Sequence, residues 1–201
     1  MANTGLGGPA AAFLIEELAA YGVHTIIRLG TSDNNSTVHD LEKIFAIKSE
    51  MGLVGLMQDY GYPREDWGMR FDADPTVIDT IQKTAANFPK VETNFVDGYN
   101  TDGYYAFNFP ENIAYNVTGV QKLIQSYIDK DGGDRDMESA SLFMISALRN
   151  IRCASVLQCV LKGGSGHEGV GKTGIPIVLE TLKTLVGIPP TGHASQTIAH
   201  K

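Results

Sequence analysis

Gly5-Leu6-Gly7-Gly8-Pro9-Ala10-Ala11-Ala12 opens a helix, and the strand Thr25-Ile26-Ile27-Arg28 runs from it into the turn Leu29-Gly30-Thr31-Ser32. A first helical turn entered through glycines and a proline leaves backbone N–H groups and the positive end of the helix dipole open to an anion. Arg28 ends an otherwise apolar strand, where an unpaired guanidinium is costly to bury. The stretch reads as an anion site. Local physics also accommodates plain helix punctuation followed by an edge-strand charge.

Three segments in order narrow that choice: Thr4-Gly-Leu-Gly-Gly-Pro-Ala-Ala-Ala-Phe-Leu-Ile-Glu-Glu-Leu18, Ile27-Arg-Leu-Gly-Thr31 and Asp136-Met-Glu-Ser-Ala140. Together they resemble the nucleoside phosphorylase family, its uridine phosphorylase branch in particular. The likeness runs from Thr4 to Leu185, firm at the three segments and weak between Ser32 and Arg135. Ala10 stands where the branch usually has serine, and Phe13 where it usually has isoleucine. The family carries a Gly-Asp-Pro-x-Arg phosphate loop, on a further stretch of sheet, ahead of the first segment. That loop has no counterpart here, so the resemblance leaves two expectations: a fragment or truncated gene product, or a divergent member lacking half of the usual phosphate site.

The chain has 201 residues, room for one domain with a substantial core and too little for two comfortable ones. Residues 1–187 are expected to form that domain, and 188–201, rich in Pro, Gly, Thr and His, a loose tail. A net charge of -7 and a pI near 5.1 argue against a surface for nucleic acid or anionic membrane, which needs clustered Lys and Arg. No apolar run approaches the roughly 20 residues of a membrane span. The N-terminus has no basic region followed by an apolar core, so a cytoplasmic location is expected. Cys153 and Cys159 share one predicted strand and lie roughly 20 Å apart at about 3.3 Å per residue, too far to bridge. Free thiols fit a reducing compartment, in which the sequons at Asn34 and Asn116 carry no meaning.

Helices are expected over Pro9 to Tyr21, from the cap Asp74-Pro75 to Asn87, over Glu111 to Asp129 and over Asp136 to Asn150, with another from Ile177. Strands are expected over Thr25 to Leu29, Leu53 to Met57, Val91 to Val96 and Cys153 to Leu161. This alternation implies an α/β fold, a three-layer α/β/α sandwich around a central mixed sheet.

What the resemblance implies chemically is a pentosyltransferase: phosphate-dependent cleavage of the N-glycosidic bond of a nucleoside, uridine first, to free base and ribose 1-phosphate. Phosphate is then a co-substrate, and no cofactor is implied. Arg28, Gly30 and Thr31 would bind phosphate; a guanidinium gives two parallel charge-assisted bonds, and a hydroxyl adds a donor. Met137 and Glu138 would hold the ribose, with Arg28 and Glu138 the catalytic residues. A carboxylate on an apolar helix is expensive unless donors answer it, and the helix dipole favours it. Asp136 reads as a cap. Thr101-Asp-Gly-Tyr-Tyr105 resembles the family's Ser-Asp-x-Phe-Tyr stretch, which would place Tyr104 against the base, with Gly103 and Asn108 beside it; aromatics are as readily core residues. The pyrimidine branch continues into a Gln-x-Arg pair that reads uracil, where this chain has Asn108-Phe109-Pro110. The purine branch has a late aspartate where this chain has Leu161-Lys162-Gly163, so no general acid stands out. The family borrows an arginine from a neighbouring subunit, so a homodimer or larger homo-oligomer is implied.

Two patterns compete with this reading. Gly5-x-Gly7-x-x-Ala10 matches a dinucleotide fingerprint, but no strand is expected to deliver the turn, and no acidic residue is expected to close a strand about 20 residues on. Gly166 to Thr173 satisfies the P-loop pattern, yet loop residues separate it from the preceding strand and Gly174-Ile175-Pro176 is expected to interrupt the helix. A P-loop nucleotide triphosphatase is thus the lesser alternative; His167 and Lys172 would instead belong to a flap of the family. The other alternative is a catalytically silent nucleoside-binding homologue or assembly subunit. The five histidines show no ligand spacing, so no metal is expected.

Overall fold

The computed structural model describes residues 1–33, 43–52, 55–131, 134–160 and 173–186. The sequon at Asn34, the Leu161-Lys162-Gly163 stretch, His167, Lys172 and the tail 188–201 lie outside the described residues.

Helix α1 (Gly8–Ala20) begins after Gly7, whose φ of 83° is a conformation other residues rarely adopt, with Pro9 in the first turn. Strand β1 (Thr25–Asp33) follows and runs four residues beyond the expected Leu29. Strand β2 (Ile44–Met51) has no counterpart in the sequence expectations. Of the strand expected over Leu53 to Met57, residues 53–54 lie outside the described residues, and Leu56 and Met57 belong instead to helix α2 (Leu56–Asp59). Strand β3 (Arg70–Asp72) leads to α3 (Pro75–Ala85), capped as expected, with the Asp74 carboxylate accepting from Val77 N at 2.9 Å.

Strand β4 (Thr93–Asn100) is followed by the short helices α4 (Tyr104–Asn108) and α5 (Pro110–Ile113), then α6 (Val117–Asp131). The single helix expected over Glu111 to Asp129 is therefore two. Asn116 divides them, its side-chain oxygen accepting from Gly119 N at 2.9 Å. Strand β5 (Asp134–Asp136) precedes α7 (Ser139–Arg149), so Asp136 closes a strand instead of opening the helix. Strand β6 (Arg152–Val160) is buried at every position, and α8 (Gly174–Leu185) closes the described fold. Gly174-Ile175-Pro176 forms the first turn of α8 and does not interrupt it, a correction that follows from proline needing no N–H partner there.

The sheet order is β1-β6-β2-β4-β5, with β3 paired to β2. Neighbours along this path are parallel except β2 with β6, and β3 is also antiparallel to β2. Helices α1 and α7 pack together, as do α3 and α8, and members of both pairs lie on the sheet. That is the expected mixed sheet between helices. The sheet curls: β1 and β5, at the two ends of the path, come into contact. Ala11, Ile15, Ile44, Ile47, Val77, Phe143, Val156 and Ile177 lie in one continuous core. Both cysteines are buried, and neither forms a disulfide. No helix among the described residues is long and apolar enough to cross a membrane.

Candidate active site

The curl joins the C-terminal half of β1 to the end of β5, and the N-termini of α1 and α7 open beside them. A cavity of about 530 Å³ occupies this junction, lined by Arg28, Gly30 and Thr31 from β1, Met137 and Glu138 ahead of α7, and Tyr104 and Tyr105 from α4. Six residues singled out from the sequence thus share one cavity. Gly103 and Asn108 do not line it. Gly103 caps α4. Asn108 is buried and its Oδ1 accepts from Arg135 Nη2 at 2.7 Å, because α4 turns that side chain toward β5.

Arg28 carries the electrostatics. Its Nη1 lies 2.8 Å from Asp136 Oδ2, and its Nη2 donates to Glu138 Oε2; all three side chains are nearly inaccessible to solvent. Ser155 Oγ on β6 accepts from Arg28 Nη1 at 3.4 Å. Such a fold-back needs space over the chain two residues on. Gly30 gives it, since a Cβ there would stand 2.5 Å from Arg28 Nη1 and 2.6 Å from Cζ and Nη2. The Gly7 amide just ahead of α1 meets the protein's own carboxylate, donating to Glu138 Oε1 at 2.6 Å.

The two carboxylates differ in how they are held. Asp136 accepts from Ser139 N at 3.0 Å and Ser139 Oγ at 2.7 Å, fixing the start of α7, while Asn100 Oδ1 accepts from Ala140 N at 3.4 Å. Glu138 precedes α7 but makes no capping bond with its side chain. Burial lifts the Glu138 carboxyl above its usual range, with Arg28 opposing that lift and Asp136 adding to it.

Thr4, Gly5, Leu6, Thr101 and Tyr105 line the cavity from segments the sequence marked, and Arg135 lines it without having been singled out. Arg135 immediately precedes the Asp136 motif, and a lone arginine there was a readable signal. Its guanidinium lies 5.9 Å over the Phe107 ring. A second cavity of about 670 Å³ runs along β1 beside α1 and α8, lined chiefly by apolar side chains and sharing Arg28. The first has the convergent polar groups expected of a small-molecule site. Among the described residues no cluster of His, Cys, Asp and Glu could hold a metal.

A curled mixed sheet brings an arginine, a threonine and two carboxylates to one mouth. The uridine phosphorylase of Treponema pallidum (strain Nichols) is 26% identical over 192 residues, covering 92% of this chain and 72% of the relative. That of Thermococcus kodakarensis (strain ATCC BAA-918 / JCM 12380 / KOD1) is 24% identical over 174 residues, covering 86% of this chain and 60% of the relative. The crystal structure of purine nucleoside phosphorylase from Toxoplasma gondii in complex with immucillin-H superposes with a TM-score of 0.74 at 20% identity, covering 90% of this chain and 72% of that one. No family model matches the chain. The chain is thus similar to uridine phosphorylases over most of its length and shares the fold of a purine nucleoside phosphorylase.

Proposed function

We propose that this protein is a nucleoside phosphorylase, a pentosyltransferase that cleaves the N-glycosidic bond of uridine with inorganic phosphate to give uracil and ribose 1-phosphate. One observation carries the reading: Arg28 and Thr31 share a single cavity with Met137, Glu138 and Tyr104. In this reading phosphate lies against Arg28, Thr31 and the Gly30 backbone, where charge-assisted donors align an oxygen with the anomeric carbon. Glu138 accepts from the ribose hydroxyls, Met137 packs on the sugar and Tyr104 stacks on the base. As the glycosidic bond breaks, the sugar passes through an oxocarbenium-like state that the bound phosphate stabilises by its charge. The working form is a cytoplasmic homodimer or larger homo-oligomer of a single domain spanning 1–187, with phosphate and nucleoside as its partners and no cofactor.

A silent nucleoside-binding homologue is the second reading, favoured by the engagement of Arg28 with both Asp136 and Glu138. Incubating the purified chain with uridine or inosine, with and without phosphate, and following free base by chromatography separates the two. The expected result is phosphate-dependent release of uracil that Glu138→Ala abolishes. A folded chain that binds nucleoside without releasing base would refute the enzyme reading.

A further inference from the structure

Glu138 holds the same groups that an incoming anion needs. Its Oε1 takes the Gly7 amide at 2.6 Å and its Oε2 takes Arg28 Nη2, the two donors the sequence marks as an anion site. Arg28 already faces a second carboxylate, Asp136, 2.8 Å away. A phosphate dianion added here would set three anionic groups around one guanidinium, in a buried setting where repulsion is poorly screened. One carboxylate has to leave first. Asp136 is tied to the start of α7 by Ser139 N and Ser139 Oγ. Glu138 has no comparable tie to its own helix, and its present surroundings disfavour its charge.

We propose that Glu138 occupies the phosphate subsite in the free protein and is drawn out of it by the ribose hydroxyls, so that nucleoside binding frees Arg28 and the Gly7 amide for phosphate. This rests on the phosphorylase reading and adds to it a coupling between the two substrates. Asp136 and the space over Gly30 keep the guanidinium in place while Glu138 moves. Linkage makes the effect mutual, so phosphate raises nucleoside affinity by the same factor.

Calorimetric titration of inorganic phosphate tests this, with and without saturating pseudouridine, whose C–C glycosidic bond does not undergo phosphorolysis. Phosphate should bind about tenfold tighter or more with pseudouridine present, and its 2′,3′-dideoxy analogue should give no strengthening. Phosphate should also bind Glu138→Gln tighter than wild type when added alone, and pseudouridine should add little further. Equal phosphate affinity with and without bound pseudouridine overturns the coupling while leaving the phosphorylase reading intact. Weaker phosphate binding to a folded Glu138→Gln chain overturns it as well, independently of the nucleoside. A wild-type chain that binds neither ligand removes both readings.

Discussion

Gly30→Ala is the substitution that most directly probes how the arginine is seated. The added methyl would stand 2.5 Å from Arg28 Nη1 and 2.6 Å from Cζ and Nη2. Ordinary contact begins near about 3.5 Å, so the guanidinium must retreat by about 1 Å. Only the tip of a flexible side chain obstructs the methyl, and Gly30 lies outside the left-handed region, so the backbone of β1 tolerates alanine. The retreat takes Arg28 Nη1 from 2.8 Å to beyond hydrogen-bond range of Asp136. Losing one charge-assisted bond costs about 2 kcal/mol, or about 4–8 °C in Tm for a domain of this size. Phosphate affinity should fall about 30-fold by the same arithmetic. Thermal unfolding and phosphate titration of Gly30→Ala and Arg28→Met, singly and combined, form a cycle. In the Arg28→Met background the alanine should cost almost nothing. Equal losses from Gly30→Ala with and without the guanidinium would refute the seating argument.

Two further predictions concern stability. Glu50 on β2 is fully buried beside Gly98 with neither carboxyl oxygen hydrogen-bonded; burial, then Asp136 and Asp134, push its carboxyl well above the usual range. A raised carboxyl contributes stability that is whole below its unfolded pKa near 4.5 and is lost as pH rises toward the folded value. The Tm of Glu50→Gln relative to wild type should therefore climb as pH rises above 4.5, and a flat difference would show that the carboxyl is ionised throughout. Asp74→Ala removes the cap on α3 and leaves Val77 N without that acceptor; chemical denaturation should register a loss of about 1 kcal/mol, and an unchanged midpoint would mean the cap is redundant.

The parts legible in the sequence are those whose signals are local. Asp74-Pro75 announced α3 through cap chemistry, and Gly7-Gly8-Pro9 announced α1 through backbone geometry. β2 was missed because Ile44-Phe45-Ala46-Ile47-Lys48-Ser49-Glu50-Met51 is buried on both faces and lacks the alternation that betrays a half-exposed strand. β5 was absorbed into α7 because three residues carry no period. At the site, Arg28, Thr31, Met137 and Glu138 were readable from their motifs. That Glu138 would answer Gly7 and Arg28 was not, since those contacts cross 131 and 110 residues of chain. The contact of Asn108 was hidden for a similar reason: its partner, Arg135, comes from a strand the sequence hid.

The contact between β1 and β5 also bears on how this molecule folds and breathes. These strands share no ladder, and the path between them runs through β6, β2 and β4. The Arg28 cluster therefore exists only after every intervening strand has found its register, through pairings mostly distant in sequence and slow to form. A partly opened sheet has no cluster at all. An anion that recognises it binds the closed sheet alone, and by mass action raises the cost of opening strands it never touches.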